Sequence, residues 1–238
     1  MANEVILYDI PSKQGTSWSL NPWKTRLYLN YKNIPYKTEW TAYPDLEPKF
    51  EKFGIPPNET GTKYTAPTVK MPDGSYVVDS RRIAEGLDRI YPDPPLHIES
   101  KYQAPVEAAL GNIMRCIRSV YMPLVPKMFL NPRCRDYFVA TREKVVGMPL
   151  DEFGKTADHD VKSAEPYVRE LSALLTETDG PFFEGKAPCY ADFVVVAWVK
   201  MLKGLGVEEK IYALEGGEQL KKQYEAAQAS GWFDRDSY

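Results

Sequence analysis

Residues 65–84 read TAPTVKMPDGSYVVDSRRIA, and their pattern is the most informative one in the chain about its architecture. It predicts two short strands, 67–70 and 76–78, joined by a tight turn, because the intervening PDG favours turn geometry. From Ser80 the apolar residues recur at a helical period, and those on one face are Ile83, Ala84, Leu87 and Ile90. The stretch therefore predicts a β-hairpin that runs directly into a helix.

Upstream of the hairpin, strand and helix patterns alternate. Residues 5–8 and 36–40 read as strands, and Asn21-Pro22 between them reads as a helix start, with asparagine as the N-cap and proline at the first helical position. A loop rich in proline and glycine follows over 41–62, with room for one short helix. The order β-α-β-loop-β-β-α predicts a small, mixed, four-stranded sheet covered by helices.

Downstream of the hairpin and its helix, residues 92–95, PDPP, break the chain. Beyond them strand patterns nearly disappear, and helical stretches run over 101–128, 134–146, 161–176, 190–205 and 217–229. We therefore expect an α/β N-terminal domain over 1–92, a linker over 93–98 and an all-α C-terminal domain over 99–238.

Composition argues against several classes of protein. The 238 residues include 30 basic and 33 acidic side chains without a basic stripe, unlike a nucleic-acid-binding protein. The N-terminus lacks the pattern of a signal peptide, and the apolar run 193–199 is too short to span a membrane. Three cysteines without a Cys-x-x-Cys pair and two histidines argue against a disulfide scaffold and a metal cluster. We expect a cytoplasmic protein that binds no metal and no nucleotide.

A loop rich in hydroxyl groups, residues 16–19 (TSWS), lies between the first strand and the first helix. A serine hydroxyl is no base at neutral pH, but its hydrogen bond to a thiolate favours the charged form and lowers the thiol pKa. A decrease of ~2 pKa units needs ~2.7 kcal/mol, which one charged hydrogen bond and a helix N-terminus supply together. The alternative interpretation is that these hydroxyls are ordinary loop or capping groups.

A second group of candidate residues lies at the two ends of the hairpin. If the Ala66-Pro67 bond is cis, the backbone of Ala66 is free to pair with a peptide ligand as an added strand would. Asp79 suits an ammonium group, and Ser80 with the amides of a helix N-terminus suits a carboxylate. A ligand with both groups on one carbon is an α-amino acid end, such as the γ-glutamyl end of glutathione. The alternative for Asp79 and Ser80 is simple helix capping.

A third motif, residues 183–193, precedes the apolar helix and carries folding information. Asp192 follows Cys189 by three residues, which is the spacing of a capping box. Pro188 and Phe193 lie where a hydrophobic staple is expected.

Together these motifs resemble the glutathione transferase superfamily across nearly the whole chain. Residues 65–69 with 79–84 resemble its glutathione-binding motif, and 185–192 resembles its helix-capping motif. Within the superfamily, Ser17-Trp18-Ser19 followed by WKTR at 23–26 is similar to the bacterial lignin β-etherases, and closer to the fungal etherase-like class FuA. The resemblance implies a thioredoxin-like N-terminal domain that binds glutathione.

The resemblance also implies roles for individual residues. Ser19, with Ser17 as the alternative, would hold the glutathione sulfur. The other glutathione-binding candidates are Ala66 before a cis Pro67, Asp79 and Ser80 for the γ-glutamyl end, and Lys63 or Lys52 for the glycyl carboxylate. Two departures are visible: Cys189 stands where the family has serine or threonine, and no cysteine lies near residues 17–19.

A second, hydrophobic substrate is implied to bind opposite glutathione. The candidates that would contact it are Trp18, Met122, Tyr121 and Met128, since methionine and aromatic side chains adapt to varied apolar ligands. The alternative is that these side chains are ordinary core. Two prolines, Pro123 and Pro126, predict a kink or an early end of the helix over 101–128.

The expected reaction is attack by the glutathione thiolate on an electrophilic carbon of an aromatic compound. Aryl ethers are among the candidate substrates, and their cleavage would release a phenol. Glutathione is then a cosubstrate, and a homodimer is expected by analogy. Two other functions stay open. One is a ligandin-type protein that binds hydrophobic phenolics with little turnover, and the other is a structural or regulatory domain of transferase fold.

Overall fold

A four-stranded mixed sheet forms the N-terminal part of the computed structural model, which describes residues 4–236. The strands are β1 (Val5–Asp9), β2 (Tyr36–Trp40), β3 (Thr68–Lys70) and β4 (Tyr76–Val78), in the spatial order β2-β1-β3-β4. β1 runs parallel to β2, whereas β3 is antiparallel to both β1 and β4. The predicted mixed sheet is confirmed, while residues 1–3 and 237–238 of the two predicted domains lie outside the described residues.

Helices account for most of the remaining chain. Those of the N-terminal half are α1 (Leu20–Tyr31), α2 (Leu46–Lys52), preceded by a 3₁₀ turn over Tyr43–Asp45, and α3 (Ser80–Ile90). The helices that follow are α4 (Gln103–Cys116), α5 (Arg118–Tyr121), α6 (Val125–Met128), α7 (Pro132–Val146), α8 (Leu150–Phe153), α9 (Ala157–Ser163), α10 (Glu165–Leu175), α11 (Tyr190–Leu205), α12 (Glu208–Tyr212) and α13 (Gly217–Ala229). The predicted linker 93–98 lies between α3 and α4. None of the helices within residues 4–236 is long and apolar enough to cross a membrane.

Four predicted helices differ from the observed ones in their boundaries. The helix predicted over 134–146 begins at Pro132, and the stretch 161–176 is divided between the end of α9 and α10. The stretch 101–128 forms three helices, α4 to α6, and Pro123 lies in the last break, where a proline cannot continue the helical hydrogen bonds. α1 begins at Leu20 with Ser19 as its N-cap, earlier than Asn21-Pro22 predicts. Pro22 is tolerated there because the amides of the first turn have no partner within the helix.

α11 is the central helix of the C-terminal domain and is buried along most of its length. Its capping carboxylate, Asp192, accepts hydrogen bonds from the backbone amides of Cys189 (2.8 Å) and Phe183 (3.0 Å). The side-chain amide of Gln223 donates a third, of 2.7 Å. The predicted capping motif is therefore present and ties α11 to the preceding loop and to α13.

The C-terminal segment 231–236 folds back over α1. The ring of Trp232 packs against Tyr31 and Phe193, and that of Phe233 packs against Trp23. These aromatic contacts hold the N-terminal sheet domain against the helical domain.

Candidate active site

Two adjoining cavities lie between the sheet domain and the helical domain. One has a volume of about 340 Å³ and a mostly apolar lining, and the other has a volume of about 320 Å³ and a mostly polar lining. Asn21, Thr65 and Ala66 line both of them. The two spaces are thus neighbouring halves of one cleft.

Ser19 lines the apolar cavity next to this shared wall. It is the N-cap of α1, yet within the described residues its side chain makes no capping hydrogen bond. The hydroxyl therefore lies at the positive end of a 12-residue helix without a role in closing that helix. This geometry suits the stabilisation of an anion at the boundary of the two cavities.

Ser17 occupies a different environment. Its hydroxyl is buried and donates a 2.7 Å hydrogen bond to Oδ2 of Asp9, which also accepts from Nε of Arg26 at 3.0 Å. The backbone amide of Ser17 donates to the carbonyl oxygen of Asp236 at 2.8 Å. Ser17 is not among the described residues that line either cavity, and its contacts hold the loop from behind.

The polar cavity brings together the residues predicted at the ends of the hairpin. Ala66, Pro67, Asp79 and Ser80 all line it, and the Ala66-Pro67 peptide bond is cis. Asp79 has a φ of 81°, and its carboxylate accepts hydrogen bonds from the amides of the next turn. The capping interpretation of Asp79 is thus correct, and the same residue also faces the cavity.

Sequence analysis missed several further residues of the polar cavity, among them Lys24, Glu107 and Tyr190. Burial lowers the pKa of the Lys24 ammonium, and the carboxylates of Glu107 and Asp79 oppose that decrease. The hydroxyl of Tyr190 is buried beside Ser80. No described residue lies at the distance and angle of a well-formed hydrogen bond to it. α1, α4 and α11 bring these groups together, and no local motif marks them.

The apolar cavity contains three of the four side chains predicted for a hydrophobic ligand: Trp18, Tyr121 and Met122. Trp18 stacks on Phe129 with ring centroids 5.1 Å apart, and its indole N–H has no hydrogen-bond partner among residues 4–236. The cavity lining that sequence analysis missed includes Tyr43, Met114, Tyr137, Phe138, Arg142 and Met201. Trp18 therefore serves both as packing and as cavity wall.

The structure does not bring three predicted residues to the cleft. The side chain of Lys63 is 70% exposed and pairs with Glu47 of α2, and it lines neither cavity. Lys52 is exposed at the end of α2 and lines neither cavity. Met128 is 40% exposed at the end of α6, where its carbonyl oxygen accepts a hydrogen bond from the side-chain amide of Gln14.

In the part of the chain that the structure describes, no cluster of three or more histidine, cysteine, aspartate or glutamate side chains has a geometry suited to a metal ion.

Comparison with known proteins places these features in a family. The family model of the glutathione S-transferase N-terminal domain matches residues 18–90, and that of the C-terminal domain matches residues 103–219. The glutathione S-transferase-like protein ustS of Aspergillus flavus is 33% identical over 203 residues, which cover 77% of this chain and 73% of the relative.

Solved structures of fungal enzymes are similar along the whole chain. A glutathione S-transferase of Ceriporiopsis subvermispora, CsGST63524, solved in complex with glutathione, is 28% identical, with a TM-score of 0.81 over 95% of this chain and 97% of that one. GSTFuA2 of Phanerochaete chrysosporium is 26% identical, with a TM-score of 0.83 over 98% and 99%. Two family models and one relative of 33% identity thus agree, and the chain belongs to the glutathione S-transferase family.

Proposed function

We propose that this protein is a serine-type glutathione transferase that acts on hydrophobic aromatic electrophiles. The observation that carries the proposal is the position of Ser19, whose hydroxyl lies at the N-terminus of α1 and faces the apolar cavity next to the polar one. A thiolate held there has donors on one side and space for a hydrophobic ring on the other.

Glutathione is proposed to occupy the polar cavity. The backbone of Ala66 pairs with its cysteinyl part as an added strand would. Asp79 binds the γ-glutamyl ammonium, and Ser80 with the N-terminal amides of α3 binds the adjoining carboxylate. Lys24 supplies a cation to the same cavity, a part that Lys63 and Lys52 do not take because they lie outside it. The glutathione complex of the Ceriporiopsis relative supports this ligand.

The proposed reaction is an aromatic substitution. The thiol proton leaves to solvent, the thiolate attacks the electrophilic carbon, and a C–S bond forms. The bond to the leaving group then breaks, and its electron pair departs with a halide or, for an aryl ether, with a phenolate. The protein contributes a lowered thiol pKa and the alignment of the two reactants.

The alternative candidate is a ligandin, in which the apolar cavity of about 340 Å³ stores hydrophobic phenolics with little turnover. Trp18 and Tyr121 in its wall suit such ligands as well as they suit a substrate. A homodimer and a cytoplasmic location stay predictions that rest on the family.

The test combines calorimetry of glutathione binding with steady-state turnover of 1-chloro-2,4-dinitrobenzene. We expect measurable affinity and turnover, and we expect Ser19→Ala to raise the pKa of the bound thiol by about 1–2 units, the contribution of one charged hydrogen bond. Ser230→Ala, at the end of α13 and exposed, is the matched control. Absence of glutathione affinity contradicts the proposal, and binding of a hydrophobic dye without turnover favours the ligandin.

A further inference from the structure

The apolar cavity contains a single fully charged side chain. Of the described residues that line it, Arg142 alone is ionised at neutral pH, and no carboxylate is present in the lining. The other lining side chains are aromatic, aliphatic or neutral and polar, among them Trp18, Tyr43, Tyr121, Phe138 and Met201. A cavity whose lining carries one positive charge and no negative charge favours anionic ligands.

Arg142 is held in place by aromatic rings. Its guanidinium carbon lies 4.7 Å from the ring centroid of Phe138 and 5.8 Å from that of Tyr43. Its Nη1 donates a 3.0 Å hydrogen bond to the hydroxyl of Thr141. These contacts orient the planar guanidinium while most of its N–H donors remain available for a ligand.

The lack of a counterion distinguishes Arg142 from the other arginines of α7. Arg133 pairs with Asp45, and Arg135 pairs with Asp136. Arg142, by contrast, makes no ion pair with any carboxylate among residues 4–236. A partly buried guanidinium without a protein counterion has capacity left for an anionic ligand.

The phenols beside Arg142 do not supply the missing anion. Burial raises the pKa of both Tyr43 and Tyr121, and the nearby guanidinium of Arg142 opposes that increase without cancelling it. At neutral pH both phenols therefore stay protonated. The negative charge that matches Arg142 has to come from the molecule in the cavity.

We infer that Arg142 is a specificity-determining residue that binds an anionic substituent of the aromatic substrate, such as a ring carboxylate. Arg142 and Ser19 line the same cavity, so one aromatic ring can present its reactive carbon at Ser19 and its anionic group at Arg142. This inference rests on the proposed transferase function and narrows its substrates to aromatic electrophiles that carry an anionic group.

Two substrates with the same leaving group test the inference: 4-chloro-3-nitrobenzoate, which is anionic, and 4-chloro-3-nitrobenzamide, which is neutral. The ratio of their kcat/KM values is compared between the wild type and Arg142→Gln, so that the difference in intrinsic reactivity cancels. We expect the variant to lower the benzoate-to-benzamide ratio about tenfold, the typical effect of one charge-assisted hydrogen bond. The KM for glutathione is expected to stay within about twofold, because Arg142 does not line the polar cavity.

Arg135→Gln, an exposed change on the same helix, is the matched control and leaves the ratio unchanged. Arg142→Lys keeps the charge without the planar fork and retains part of the preference, and it replaces the glutamine variant if that variant does not fold. An unchanged ratio in both folded variants overturns the inference. A raised KM for glutathione with an equal loss for both substrates also overturns it, since Arg142 then binds the glycyl carboxylate of glutathione.

Binding measurements distinguish failure of the transferase proposal from failure of the inference about Arg142. If the wild type turns over neither substrate, calorimetry with 4-nitrobenzoate and 4-nitrobenzamide replaces kinetics. A wild-type preference for the anion that Arg142→Gln removes supports the role of Arg142, although the protein is then a carrier. Equal affinity for the two compounds in the wild type overturns the inference independently of catalysis.

Discussion

The hydroxyl of Ser17 donates a 2.7 Å hydrogen bond to the buried carboxylate of Asp9, and this contact fixes the loop that presents Ser19 to the cleft. Ser17→Ala removes a donor from a buried carboxylate, so we expect the free energy of unfolding to fall by about 1–3 kcal/mol. Urea denaturation measures the loss. A thiol pKa that shifts as strongly in Ser17→Ala as in Ser19→Ala argues against the proposed division between the two serines.

The ion pair behind the loop is fully buried. Asp9 and Arg26 both have side chains that are 0% exposed, and Arg26 also donates to the hydroxyl of Thr38. Asp9→Asn leaves the guanidinium without its counterion, and we expect a loss of about 3–5 kcal/mol in the free energy of unfolding. The control Asp151→Asn breaks an exposed pair with Lys127 and is expected to cost less than about 1 kcal/mol. Equal effects in the two variants contradict the prediction.

Arg235 anchors the C-terminal segment 231–236 to the end of α1. Its three hydrogen bonds, each of 3.0 Å, go to Asn30 Oδ1 and to the carbonyl oxygens of Leu29 and Ile34. The backbone carbonyl oxygen of the next residue, Asp236, accepts a hydrogen bond from the backbone amide of Ser17. We expect Arg235→Ala to release this segment, to lower the free energy of unfolding by about 1–3 kcal/mol, and to speed hydrogen exchange at the Ser17 amide.

Exchange measured by nuclear magnetic resonance reads out that amide directly. Arg135→Ala on the exposed face of α7 serves as the control. An unchanged exchange rate at Ser17 shows that the segment stays in place without Arg235, and thereby refutes the anchor.

Substitution of Tyr190 is expected to affect glutathione affinity without lowering the stability of the protein. The hydroxyl of Tyr190 is buried beside Ser80 and makes no well-formed hydrogen bond with a described residue, so Tyr190→Phe removes only a weak contact of the free protein. We expect the free energy of unfolding to stay constant or rise, while the affinity for glutathione falls about fivefold to tenfold because the ligand loses a donor in the polar cavity. Calorimetry and urea denaturation give the two quantities. Lower stability with unchanged affinity is the opposite result, and Tyr167→Phe on α10 is the control.

The three cysteines differ in accessibility. Burial raises the pKa of Cys134, and burial together with the Asp192 carboxylate raises the pKa of Cys189 to about 12, whereas Cys116 is partly exposed. Because the thiolate is the reactive form, a raised pKa suppresses reaction at pH 8. We expect one thiol to react with dithiobis-nitrobenzoate in the native protein and three after denaturation. Cys116→Ser should abolish the native reaction, and persistence of that reaction contradicts the assignment.

Local patterns were sufficient for several elements of the fold, although they did not predict the short helices α8 and α12. The strand Tyr36–Trp40 and the helices Tyr190–Leu205 and Gly217–Ala229 have the bounds that the sequence predicts. The apolar period of each element and the residues that cap it lie close together in the sequence. Local sequence therefore determines where these elements begin and end. The break of the stretch 101–128 into three helices was harder to place, because a proline allows several ways to end a helix.

The mixed sheet, the helical second half and the motif around Asp79 and Ser80 are predictable from the sequence, because each depends on residues that are adjacent in the chain. Only the tertiary structure decided which serine faces the cleft, and it placed Lys24, Tyr190 and Arg142 in the cavity walls while leaving Lys63 and Met128 outside. The physical reason is that a hydroxyl points either to a buried carboxylate or to a cavity according to packing from distant segments. Asp9 in β1 and Asp236 in the C-terminal segment contact Ser17 directly, and Arg26 in α1 holds the Asp9 carboxylate in place.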